Sequence, residues 1–138
     1  MPDSLELEVA TPERSLVHEE VTEVQAPGKN GYLGILPGHA PLLAELGTGF
    51  LSFDAGAKRW YVAVHGGYLE ILADRVRVLA TAAERAEEID VARAKAAFDR
   101  AQDQVIHPSL GAEPAAALHA MARAQARLDA AAQKHTSA

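Results

Sequence analysis

Residues 83–94 read AERAEEIDVARA, and the fold is decided there. Before this stretch, apolar and polar residues alternate between glycine-rich breaks. After it, alanine-rich helical periodicity runs almost to the end. Asp90 is placed to cap the first helix, because its carboxylate can accept from the free amide N–H groups of the opening turn. Arg93 lies three positions on, one turn up and on nearly the same face. Glu84, Glu87 and Glu88 gather acidic charge beside a helix N-terminus, where the helix dipole favours it. Two readings stand side by side. One is a well-capped strand-to-helix junction. The other is a small anion- or nucleotide-responsive site at a joint between two mobile parts.

Upstream, Leu5, Leu7 and Val9 alternate with Glu6 and Glu8, the period of a strand with one buried face. Thr11-Pro12-Glu13 breaks it. A second strand fits 15–26, with a slip across His18-Glu19-Glu20 that suits a bulge. Pro27-Gly28-Lys29-Asn30-Gly31 is a turn, since Gly and Asn accept positive φ. A short apolar strand over 32–36 meets a rigid loop, Pro37-Gly38-His39-Ala40-Pro41, before Leu42 and Leu43 re-enter the core. After the corner at Gly47-Thr48-Gly49, residues 50–53 and 58–64 form a hairpin around 54–57. His65-Gly66-Gly67 suits a bulge or a close backbone approach. Residues 68–72 place Leu69 and Ile71 on one face, and 75–80 turn Val76, Val78 and Ala80 inward. Short strands at this spacing point to an antiparallel sandwich or flattened barrel.

Downstream the period changes. Val91, Ala94, Phe98, Ala101 and Val105 follow the spacing of a helix packed on a helix. His107-Pro108-Ser109-Leu110-Gly111 ends that helix, and Pro114 suits the first turn of the next. Leu118, Met121, Gln125, Leu128 and Ala132 repeat the spacing. The chain therefore reads as a two-part α+β fold: an N-terminal antiparallel β-sandwich over 1–86, then a C-terminal αα-hairpin over 87–138. Eleven alanines lie between Ala112 and Ala132. Alanine favours the helix but offers little area to bury, and burial contributes only about 25 cal/mol per Å². Such helices form readily and dock weakly. A permanently closed hairpin and one that opens to dock elsewhere both fit this composition.

The totals narrow the function. A formal charge of −6 argues against nucleic acid as the main partner. The absence of cysteine excludes a disulfide frame and thiolate metal sites. The acidic start, MPDSLELEV, lacks a secretory pattern, and the apolar run over 33–46 is too broken to span a bilayer. These features predict a soluble protein of a reducing compartment that meets membrane only through a partner. The six histidines are scattered, which predicts no metal site. No nucleophile elbow or phosphate loop is present, so no residue is assigned a catalytic role. The arginines are more informative. Arg93 and Arg100 lie on one side of the first helix, Arg123 and Arg127 on one side of the second. In a closed hairpin these pairs can face each other, where they either stay solvated or hold an anion between them. Asp90 and Glu84 would then orient its hydroxyl or amine groups.

The segment 31–43, GYLGILPGHAPLL, closely resembles the loop motif of the epsilon subunits of bacterial F-type ATP synthases. Gly66-Gly67-Tyr68-Leu69-Glu70, Asp74-Arg75-Val76 and the run 79–84 resemble that family's later strands, in the family's order and across essentially the whole chain. The resemblance implies a β-sandwich with two C-terminal helices. It implies a place in the central stalk, beside the gamma subunit and on the membrane ring of c subunits. Tyr32, Leu36 and His39 would lie in that contact, with Tyr32 standing where some members carry a ring-facing glutamate. Some members bind ATP through an Ile/Leu-Asp-x-x-Arg-Ala motif. Ile89, Asp90, Arg93 and Ala94 fit it, and Glu84, Arg100, Arg123 and Arg127 match the further positions of that site.

What the resemblance implies is a non-catalytic rotor subunit, requiring no cofactor and taking ATP as a regulatory ligand. It would transmit proton-driven rotation from the c ring to the alpha/beta catalytic head. Its helices would inhibit ATP hydrolysis when extended, with Arg123 and Arg127 meeting acidic surface there. Its place would be peripheral, on the cytoplasmic face of the bacterial inner membrane. The alternatives are a free-standing nucleotide-sensing module and a sandwich domain whose hairpin only dimerises.

Overall fold

Alternation builds the first layer. In the computed structural model, which describes residues 3–133, β1 (Leu5–Ala10) buries Leu5, Leu7 and Val9. Glu6 and Glu8 lie on its outer face beside Arg75 and Arg77. β1 pairs antiparallel with β2 (Ser15–Val21), and in parallel with the last strand of the sheet. That parallel ladder is the one departure from the antiparallel pattern among the described residues.

The segment 15–26 is two strands, not one. At Thr22 the backbone N–H donates to the Asp54 carbonyl at 2.9 Å. The chain there leaves β1 and becomes β3 (Glu23–Gly28), which pairs with β4 (Gly31–Ile35) and β6 (Thr48–Ala55). The irregularity lies at Leu16 and not across residues 18–20, because Val9 pairs with Val17 and Ala10 with Ser15. With β5 (Leu42–Glu45), β7 (Lys58–Leu72) and β8 (Arg75–Arg85), the order is β2-β1-β8-β7-β6-β3-β4, and β5 adds to β7. The sheet folds over one core whose largest side chains are Phe53, Leu5, Leu7, Ile35, Leu51, Leu69 and Ile71. This is the expected sandwich.

β7 is the pivot. The sequence suggested two strands broken at the glycines; the structure has a single strand that changes partner there. Thr48 to Ala55 of β6 pair with its first half, up to His65, and β5 pairs with its second half from Tyr68. Gly66 (φ 68°) and Gly67 (φ 111°) adopt conformations that side chains resist. Across them the inward positions change parity, from Val62 and Val64 to Leu69 and Ile71. Tyr61, Ala63 and His65 therefore turn away from the sandwich core, yet all three are buried.

The helices cover them. After β8 the chain makes a 3₁₀ turn (Ala86–Glu88), then α1 (Val91–Ile106) and α2 (Pro114–Gln133). Pro114 opens α2 as expected. α2 packs on both β6 and β7, and α1 packs on α2 as an outer layer. The stripe expected on α2 is wrong in phase. Leu118 is 47% exposed, and Gln125 and Ala132 also face out. The buried positions are Ala117, Ala124, Ala126, Ala130 and Ala131, with Met121 and Leu128 half-buried. On α1 the same correction is milder: Ala94 and Ala101 are buried, but Val91 and Val105 are exposed. Small side chains form the seam because they allow close approach on two faces of α2 at once. His135 lies outside the described residues.

Candidate functional site

The parity change on β7 and the matching one on β8 aim His65 and Glu84 at the helices. α1 starts directly opposite. Its cap is the expected one: Asp90 Oδ1 accepts from the Arg93 backbone N–H at 3.0 Å. One turn of helix then brings in Arg93, and two further turns Arg100. α2 contributes Arg127. Together with Arg14 from the β1–β2 turn and Glu88, these residues line a cleft of roughly 510 Å³ whose apolar wall is Ala82, Ala83, Ala94 and Ala97. That size lies within the usual range for small-molecule pockets, about 300–1,000 Å³.

The charges in the cleft are unevenly matched. Arg127 Nε donates to Glu84 Oε1 at 3.2 Å, and Arg14 Nη2 to Glu88 Oε2 at 3.0 Å. Asp90 is engaged in the helix cap. Arg93 and Arg100 make no ion pair among the described residues. Two guanidinium groups thus face the cleft uncompensated, beside a third held by one half-exposed carboxylate. His65 is 6% exposed, and neither ring nitrogen has a hydrogen-bond partner among the described residues. Burial, then the positive charges of Arg127 and Arg123, push its pKa down to about 4. The ring is neutral at ordinary pH.

Of the eight residues read as nucleotide contacts, six line this cleft: Glu84, Asp90, Arg93, Ala94, Arg100 and Arg127. Ile89 does not line it. Its side chain is 6% exposed, within the apolar cluster of Tyr61, Ala63, Ala86 and Ala130 that seats the hairpin on the sheet. Arg123 is exposed and outside the lining, though its charge reaches His65. His65 is the residue that sequence reasoning missed. Its signal was the unbroken apolar run Tyr61-Val62-Ala63-Val64 before it, the mark of a strand covered on both faces.

The residues read as partner contacts separate. The Tyr32 hydroxyl donates to the Phe50 carbonyl at 3.0 Å, and its ring lies 6.1 Å from that of Phe50, on the side of the sheet that α2 covers. Leu36 is 56% exposed at the other end of β4. His39 Nδ1 lies 2.7 Å from the Ala40 carbonyl, so its ring braces its own loop. The Gly38 N–H donates to Asp74 at 2.7 Å, which ties this loop to the β7–β8 turn. The outer face of β5, β7 and β8 near that turn exposes Leu43, Tyr68, Leu72 and Leu79, a patch absent from the sequence reading. Clustered apolar exposure of this kind marks an interaction surface.

Residues 4–86 match the family described as ATP synthase, Delta/Epsilon chain, beta-sandwich domain. Residues 87–132 match its long alpha-helix domain. The chain belongs to the ATP synthase delta/epsilon family. It is 62% identical over 128 residues to the ATP synthase epsilon chain of Solibacter usitatus, covering 93% of this chain and 96% of that one. It is 44% identical over 128 residues to the epsilon chain of Syntrophobacter fumaroxidans, with the same shares covered. Among solved structures it is similar to a chain of the Euglena gracilis mitochondrial ATP synthase OSCP/F1/c-ring structure. There the TM-score is 0.82 at 23% identity, over 96% of this chain and 83% of that one, a likeness of fold. As a member of the epsilon family, the chain is a non-catalytic subunit of ATP synthase. No helix among its described residues is long and apolar enough to cross a membrane.

Proposed function

We propose that the chain is the central-stalk subunit of a proton-translocating ATP synthase, and that its hairpin closes over one ATP and opens to inhibit hydrolysis. Family membership supports the stalk role. The single observation that carries the ligand is the cleft with Arg93 and Arg100 unpaired and Arg127 held by Glu84 alone. A polyphosphate between the helices turns repulsion among these arginines into attraction, through charge-assisted hydrogen bonds that need no metal ligand from the protein. When a phosphate takes Arg127, Glu84 is freed to accept from a hydroxyl or amine of the nucleoside.

The rest of the reading follows from the two ends of the molecule. Residues 1–86 act as the clamp. Leu36 and the loop around His39 meet the c ring at one end, the outer face with Tyr68 and Leu79 meets gamma, and membrane is met only through the complex, at its cytoplasmic face. Tyr32 is held beside α2 and serves the hairpin more directly than the ring. Residues 87–138 act as the gate. Closed, they keep Arg123 and Arg127 from the catalytic head; extended, they carry both arginines to acidic surface there. ATP at a hundred times its dissociation constant favours the closed form by about 2.7 kcal/mol. That is sufficient to bias a seam made of alanine.

The test is hydrolysis by the complex rebuilt with wild-type or Arg93→Ala/Arg100→Ala chain, across a range of ATP concentrations. Inhibition should fall as ATP rises, and the double variant should need at least about tenfold more ATP for the same relief, as expected for lost charge-assisted bonds. Superimposable curves would overturn the gate.

A further inference from the structure

The neutral imidazole at the floor of the cleft has no role in the reading above. We infer that His65 is a ligand-binding residue: one ring N–H donates to a phosphate oxygen of the bound nucleotide, between the helices and the sheet. This rests on the nucleotide reading of the cleft and deepens it.

Three observations converge on His65. It lines the cleft, it is more than nine-tenths buried, and both its ring nitrogens lack partners among the described residues. A neutral imidazole carries one N–H donor and one acceptor nitrogen. Leaving a buried donor unmade costs about 1–3 kcal/mol, so such a group is kept where something completes it. What surrounds it selects the complement. On β8 its cross-strand partner is Ala82, and the nearby Glu84, paired with Ala63, is already held by Arg127. From α2 the charges of Arg127 and Arg123 reach it, and from α1 Arg93 and Arg100 border the same space. Asp90 and the Arg14–Glu88 pair close the far side. A cationic ring is disfavoured among so many arginines; a neutral donor beside an anion is not. The charges that act on His65 are those of Arg127 and Arg123, so the phosphates that guanidinium groups draw in, not the base, are its partner. It contributes direction where the arginines contribute charge.

The full chain is titrated by calorimetry with ATP and, separately, with inorganic tripolyphosphate. His65→Leu removes the donor at similar volume; His65→Gln keeps an N–H. His65→Leu should weaken both ligands by about tenfold, the worth of one hydrogen bond, and His65→Gln should recover part of the loss. Equal affinity of wild type and a folded His65→Leu chain overturns the inference while leaving the nucleotide reading intact. A loss for ATP with none for tripolyphosphate overturns the phosphate assignment. Failure of the wild type to bind either ligand overturns the nucleotide reading itself. If His65→Leu does not fold, the wild-type ring decides: saturating tripolyphosphate should shift the His65 ring nitrogen resonances, and unchanged resonances overturn the contact.

Discussion

At the scale of the residue, the buried histidine makes a measurable claim. An imidazole exposed in the unfolded chain titrates near its ordinary value of about 6.5. In the folded chain burial, then Arg127 and Arg123, lower the pKa of His65 to about 4. The unfolded state therefore binds the proton first as pH falls. Stability is intact above the unfolded value and is lost between about 6.5 and 4. At pH 5 the expected loss is ~2 kcal/mol from this group alone. Urea unfolding followed by Trp60, the sole tryptophan, should show that difference between pH 7 and pH 5, and His65→Gln should abolish it. Parallel pH trends in both chains would mean the ring is not buried neutral. Sequence pattern read Asp90 correctly, because a cap is a local rule about one carboxylate and the next turn. It passed over His65, because the apolar run Tyr61-Val62-Ala63-Val64 says that both faces of the strand are covered but not what covers the face His65 takes.

At the scale of the element, β7 and α2 divide what can be read locally from what cannot. The Gly66-Gly67 pair was legible as a place of close approach, and its consequence is large. A Cβ on Gly67 would lie 2.1 Å from the Leu79 carbonyl oxygen, at φ +111°. A Cβ on Gly56 meets nothing within 4 Å, although φ there is +65°. Gly67→Ala should therefore cost about 3 kcal/mol or more, and Gly56→Ala only about 1 kcal/mol. Equal shifts in urea midpoint would show that backbone strain, and not the contact with β8, sets the price. The phase of α2 was not legible. With alanine on nearly every side, hydropathy does not mark a unique face, and Leu118 drew the stripe one position from where close packing puts it. The partner switch at Thr22 was hidden for a related reason, since a strand that changes neighbours keeps its local alternation.

At the scale of the molecule, the two-part architecture was legible because the period changes from two to helical at one place. The closure of β1 on β8 in parallel and the layering of α1 outside α2 were not, since both depend on contacts between distant segments. Every residue of the larger core lies at or before Ala83, whereas the smaller cluster around Tyr61 needs both parts of the chain. A fragment of residues 1–86 should thus fold alone, with the circular dichroism of a β protein and a cooperative transition monitored at Trp60. A disordered fragment would show that the helices are part of one folding unit. The smaller cluster also bears on solubility. Beneath the hairpin the sheet offers Phe50, Tyr61 and Ala63, with His65 and Glu84 at the border. Once uncovered, that face is narrow, charged along one side and lies in mid-sheet, where β6, β7 and β8 already use one another's backbone groups. Neither a broad oily patch nor a free strand edge is created. If the hairpin opens as proposed, the domain it uncovers would therefore not become a seed for aggregation.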